Sequence, residues 1–135
     1  ISYSQLKKNI MFKFKFFTII FIFLYLNFAF SNEIKIQERI NNFKNAKESI
    51  RKISQNIRNK NYSYINNDIL FLYSWFKVMP SYFPIGSEAS INNNSDASAE
   101  IWENFSLFQK HSDNAMKISL QMINSINKNK FENLD

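Results

Sequence analysis

The sequence predicts an all-α fold, an antiparallel (up-down-up-down) four-helix bundle of which three helices are present, preceded by a signal peptide. Two features carry that prediction. Both prolines and the only glycine of the 135-residue chain fall between Pro80 and Gly86, so helix breakers are confined to one place. On either side of them apolar residues recur at steps of three and four, the spacing of one face of a helix. A third feature, the apolar run behind Met11, separates a leader from the domain.

Residues 1–10, ISYSQLKKNI, open on Ile rather than Met and carry no usable pattern; they read as an upstream extension or a fragment edge. Residues 11–31 have the layout of a secretory signal: Lys13 and Lys15, an apolar run of roughly 15 residues, then the small residues Ala29 and Ser31. Cleavage after Ser31 is expected, which exports the domain of residues 32–135 to the periplasm. An uncleaved membrane anchor is the competing reading, but the run is short of the roughly 20 residues a span needs, and Asn27 interrupts it. No membrane span is expected after cleavage. The leader also takes most of the charge with it. Lys7, Lys8, Lys13 and Lys15 precede Ser31 while all 11 Asp and Glu follow it, so a whole-chain charge of +6 becomes +2 in the domain. A nearly balanced domain gives no electrostatic case for nucleic acid, and the basic residues 51–60, RKISQNIRNK, read as the solvated end of a helix.

In the domain, Ile36, Ile40, Phe43, Ala46, Ile50, Ile53 and Ile57 form one stripe along a helix of roughly six turns, which Asn59, Asn61 and Ser63 break. The second segment, residues 64–79, repeats the pattern with Ile65, Ile69, Leu72 and Phe76, widened by Leu70, Tyr73 and Trp75, and Pro80 stops it. Residues 80–108 follow as the one long connection. It carries Tyr82, Phe83, Ile85, Ile101 and Trp102, side chains too large to be left in water, so it reads as a strap packed over one end of the bundle. Gly86 supplies a backbone angle other residues avoid, Trp102 seals the strap, and residues 100–102 form a short turn. The third long helix is expected over residues 104–127, with Phe108, His111, Ala115, Ile118, Met122 and Ile126 as its stripe and Leu107 and Ile123 beside it. Helices joined by short links pack antiparallel. The polar ending NKNKFENLD reads as a connection toward a fourth helix that would close the bundle.

The chemistry is sparse. Without cysteine, these residues form no disulfide, iron–sulfur cluster or thiolate metal site. The single histidine, His111, reads as a half-buried imidazole at the bundle seam rather than a ligand. Neither a nucleophile with its base nor a phosphate-cradling glycine loop can be assembled. Glu100 and Glu103 open a helix, where the backbone's partial positive charge favours carboxylates, so they cap rather than catalyse. No catalytic residue and no metal ligand is expected, and the chain does not read as an enzyme.

The strap is more specific. PSYFPIGSEAS, followed by AEIW and then Phe108, resembles the signature of the cytochrome c prime family, in which the second helix ends in a proline, an FP-x-GS turn follows and a PEIW-like turn leads into the third helix. ERINNF, residues 38–43, resembles that family's first helix, and the resemblance covers most of residues 34–127.

The resemblance implies a left-handed four-helix bundle holding one haem c, attached through a C-x-x-C-H motif on the fourth helix whose His ligates the iron. This chain has neither the motif nor that helix. Arg39 matches the family's first-helix Arg near the haem propionates, where a guanidinium suits a carboxylate. Phe43 matches the position over the open face of the haem; a Phe has no lone pair to donate, which implies a five-coordinate iron with an apolar, crowded distal side. Ile40, Phe83 and Phe108 match positions that line the cavity. The implied function is that of an exported c-type cytochrome, for electron transfer and/or binding of small gases such as nitric oxide, with haem, a redox partner protein and a second copy of the chain as partners. Apart from the resemblance, the same five residues read as core packing. The alternative function is a haem-free exported helical module for interaction or dimerisation, with a groove lined by Phe43, Phe76, Phe83 and Phe108.

Overall fold

The computed structural model describes residues 3–127, and every regular element among them is a helix. The polar ending from Lys128 onward lies outside the described residues, as do the side chains of Ala29 and Ser31 at the expected cleavage position. Helix α1 spans Tyr3–Arg58, α2 spans Asn66–Val78, α3 is the short Glu100–Glu103 and α4 spans Phe105–Asn127. Short 3-10 turns stand at Tyr62–Tyr64 and Met79–Tyr82. The chain divides into two compact units, Ile1–Ile34 and Lys35–Asp135.

The first unit is helical from Tyr3, through the residues in which the sequence shows no pattern. Phe16, Phe17, Phe21 and Leu24 on it are exposed. Among the described residues, no helix is long and apolar enough to cross a membrane.

In the second unit α1 stops where Asn59 to Asn61 leave the helix. Lys60 takes a positive φ of 56°, its N–H reaches the Ile57 carbonyl at 2.9 Å, and the Asn61 N–H reaches back to the Asn56 carbonyl at 2.8 Å. These two bonds satisfy carbonyls that a helix end leaves without partners. Pro80 ends α2 as its missing N–H requires, although the chain winds on as a 3-10 turn through Tyr82 before it straightens. The strap then runs to α3, and Gly86 takes a φ of 82° in it.

The core gathers on α2. Ile69, Leu72 and Trp75 are buried along it with Ile65 and Met79 at its two ends, and Ala46 and Ile53 of α1 and Phe83 of the strap join them. Burying a large apolar side chain is worth about 1.5–3 kcal/mol over leaving it exposed, so this row dominates the stability of the unit. On α1 the buried line runs through Ile36, Arg39, Ala46, Ser49 and Ile53, while Ile40, Phe43 and Ile50 lie to its open side.

On α4, Phe108, Met122, Ile123 and Ile126 pack on the core as their spacing suggests, while other positions of the expected stripe turn outward. His111 is exposed rather than half-buried at a seam, Leu107 and Ile118 are exposed too, and Ser112 and Ser119 take the buried positions. The physical reason is the close approach of α4 to α2, whose backbones pack against each other. A hydroxymethyl side chain lets the two backbones meet, and its hydroxyl is satisfied by a carbonyl: Ser112 donates across the interface to the Phe76 carbonyl at 2.5 Å, and Ser119 donates to Ala115 at 2.9 Å within α4.

Candidate functional site

Three elements bring the expected site residues to one end of the second unit. Arg39 and Phe43 stand one turn apart on α1, Phe83 sits where the strap leaves α2, and Phe108 opens α4. Phe83, only 5% exposed, is the hub. Its ring centroid lies 4.7 Å from Phe108 and 6.3 Å from Phe43, both edge to face, and 6.0 Å from Trp102. The Arg39 guanidinium lies 4.5 Å from the same ring. Trp102 fixes the hub from behind by donating its indole N–H to the Phe83 carbonyl at 3.2 Å.

Phe43 reaches inward as well, edge-on to Trp75 at 5.4 Å, yet it remains 43% exposed, and Ile40 beside it 38% exposed. The two form an open apolar wall over a pocket of about 320 Å³ lined by Arg39, Ile40, Phe43, Asp96 and Ala97. A second hollow of about 520 Å³ lies further along α1, between Ile50, Ile53 and Ile57 on one side and Met122 on the other, with Leu72 also lining it. Trp75 is buried, and its indole N–H finds no acceptor among the described residues.

The one charge buried in the site belongs to Arg39, 3% exposed. Nη1 donates to the Ser87 hydroxyl at 2.8 Å and to the Tyr82 carbonyl at 3.3 Å; Nη2 donates to the Ser87 carbonyl at 2.5 Å and to the Ser95 hydroxyl. All four acceptors are neutral strap oxygens, and burial without a carboxylate lowers the guanidinium's proton affinity. The sequence shows Arg39 as a candidate but not these partners. The signal that points to them is the position of Arg39 on the inward line of α1 three residues after Ile36, because a buried guanidinium must find several acceptors. Among the described residues no group of His, Cys, Asp and Glu stands ready to hold a metal ion.

A family model described as Cytochrome C' matches residues 35–134, all within the second unit. The chain belongs to the cytochrome c′ family. No curated protein and no solved structure matches it.

Membership in the cytochrome c′ family implies haem, and the structure provides a test of fit. A flat macrocycle held between two rings needs about 3.5–4.0 Å to each of them, which Phe83 and Phe108 at 4.7 Å do not leave. The apolar surface left open at this end is that of Phe43 with Ile40, backed by Trp75 and Phe83. Covalent attachment is another matter. The sequence has no cysteine, so the thioether linkage of haem c that the resemblance implies is not supported by these residues.

Proposed function

We propose that this domain binds haem against the Ile40–Phe43 wall and serves, after export, in electron transfer or in the binding of small gases such as nitric oxide. The observation that carries the reading is the exposure of Phe43, with Ile40 beside it, at the edge of an aromatic cluster whose other rings are buried or half-buried, in a chain that matches the cytochrome c′ family. Bound haem supplies an iron that changes oxidation state and takes diatomic ligands. The protein's part is to shape the approach. Phe43 offers no lone pair, and its ring with that of Phe83 keeps the near side apolar, which excludes large or polar ligands. The apolar run of residues 11–31 supports export, and a redox partner and a second copy of the chain complete the proposed set of partners.

An absorbance titration of the chain with haem, run beside a Phe43→Glu variant, tests this. The parent is expected to give a saturable change in the haem band at one equivalent, and the variant to bind at least about tenfold more weakly, the effect of about 1.4 kcal/mol for a charge placed on the apolar wall. Equal titrations for the two chains would overturn the assignment of the wall. The interlocked Phe83 and Phe108 favour a second reading, a haem-free exported helical module that binds a partner or dimerises, which predicts no saturable change in either chain.

A further inference from the structure

Arg39 is placed by resemblance beside a ligand's carboxylates, yet its surroundings are those of a fastening. The guanidinium is held by residues 43, 48 and 56 positions further along the chain, all of them in the strap or at its start. These acceptors also hold one another. The Ser87 hydroxyl donates to the Pro84 carbonyl at 2.8 Å, the Ser95 hydroxyl donates to the Ser87 carbonyl at 2.8 Å, and the Ala97 N–H donates to the Ser95 hydroxyl at 3.2 Å. The Ala89 N–H closes the loop on the Ala97 carbonyl at 2.9 Å. Ser87 is fully buried and Ser95 nearly so, which makes the strap a closed polar ring around one cation.

We infer that Arg39 is a positioning residue that latches the strap to α1 and thereby seats Phe83 against Phe43 and Phe108, rather than a group reserved for a ligand's carboxylate. Three features lead there. Both terminal nitrogens are already engaged by two strap oxygens each, in a fork that a planar guanidinium spans and a point-like ammonium does not. The partners come from the start and the middle of the strap, so one side chain ties Tyr82 and Ser87 to Ser95. The cation also sits under the Phe83 ring at 4.5 Å, so release of the strap and displacement of the hub are one event. The inference bears on the proposed haem wall, because Phe83 backs Phe43, but it is read in the haem-free chain and stands or falls separately from haem binding.

Amide hydrogen exchange decides it. The probes are the Ser87 N–H, bonded to Pro84, and the Ala89 N–H, bonded to Ala97; the Ile69 N–H in the core of α2 reports global opening. In Arg39→Lys, which keeps the charge and loses the fork, Ser87 and Ala89 are expected to exchange about tenfold faster or more while Ile69 is unchanged. Ser95→Ala, which leaves Arg39 and the helices intact, moves the same two amides in the same direction and carries the test if the lysine variant does not fold. Protection of Ser87 and Ala89 equal to the parent's in Ser95→Ala overturns the latch, as does a folded Arg39→Lys chain in which both strap amides keep their protection.

Discussion

Phe83 touches Arg39, Phe43, Trp102 and Phe108 at once, so its removal leaves a hole that four partners from three elements cannot close together. Phe83→Ala is expected to lower stability by about 3–5 kcal/mol in a denaturant titration. The two tryptophans should separate cleanly in the same measurement. Trp102→Phe leaves the Phe83 carbonyl without its donor and costs about 1–3 kcal/mol, whereas Trp75→Phe removes an N–H that has no acceptor among the described residues and costs less. On the solvent side of α1, Arg51 donates to both carboxylate oxygens of Glu48 at 2.8 and 2.9 Å and holds that carboxyl below its ordinary range. Its contribution is therefore present above the ordinary carboxylate value and lost as the pH falls through the lowered one. Arg51→Gln should raise the Glu48 value in a titration followed by NMR. What could be read at this scale was the choice of Arg39 and Phe43, which ERINNF marks, and of Phe83 and Phe108, which the strap motif marks. The serines that hold Arg39 were hidden, since a buried serine and a surface serine look alike until the fold decides which is which.

Among the elements, the strap was the most legible, because Pro80 and Gly86 are rare residues whose backbone demands leave few choices. The bounds of α3 and α4 follow from the sequence within a residue. The inward line of α4 followed only in part, through Phe108, Met122 and Ile126. Apolar spacing pointed through His111 and Ile118, but close packing on α2 selects small residues, and Ser112 and Ser119 won the inward line. Replacing Ser112 by Leu should cost about 1–3 kcal/mol, because the side chain has no room and the Phe76 carbonyl loses its donor. At the other end of the scale, Lys60 closes α1 in a left-handed conformation that costs a residue with a Cβ about 1–2 kcal/mol. Lys60→Gly should stabilise the chain, raising its thermal midpoint by a few degrees for a gain of about 1 kcal/mol.

For the molecule as a whole, the helical class was written in the periodicity, and the family in the strap. The relation of haem to the protein was not, because motif positions mark which residues converge without saying whether rings part or interlock. Phe83 and Phe108 interlock, and the open apolar surface is on Phe43 and Ile40. Trp75 lies directly behind that wall, with its ring centroid 5.4 Å from Phe43. The fluorescence of Trp75 therefore tests the placement most directly, in a Trp102→Phe chain where it is the only tryptophan. Haem at the wall should quench this emission almost completely at one equivalent. Emission that survives saturation with haem would contradict the account.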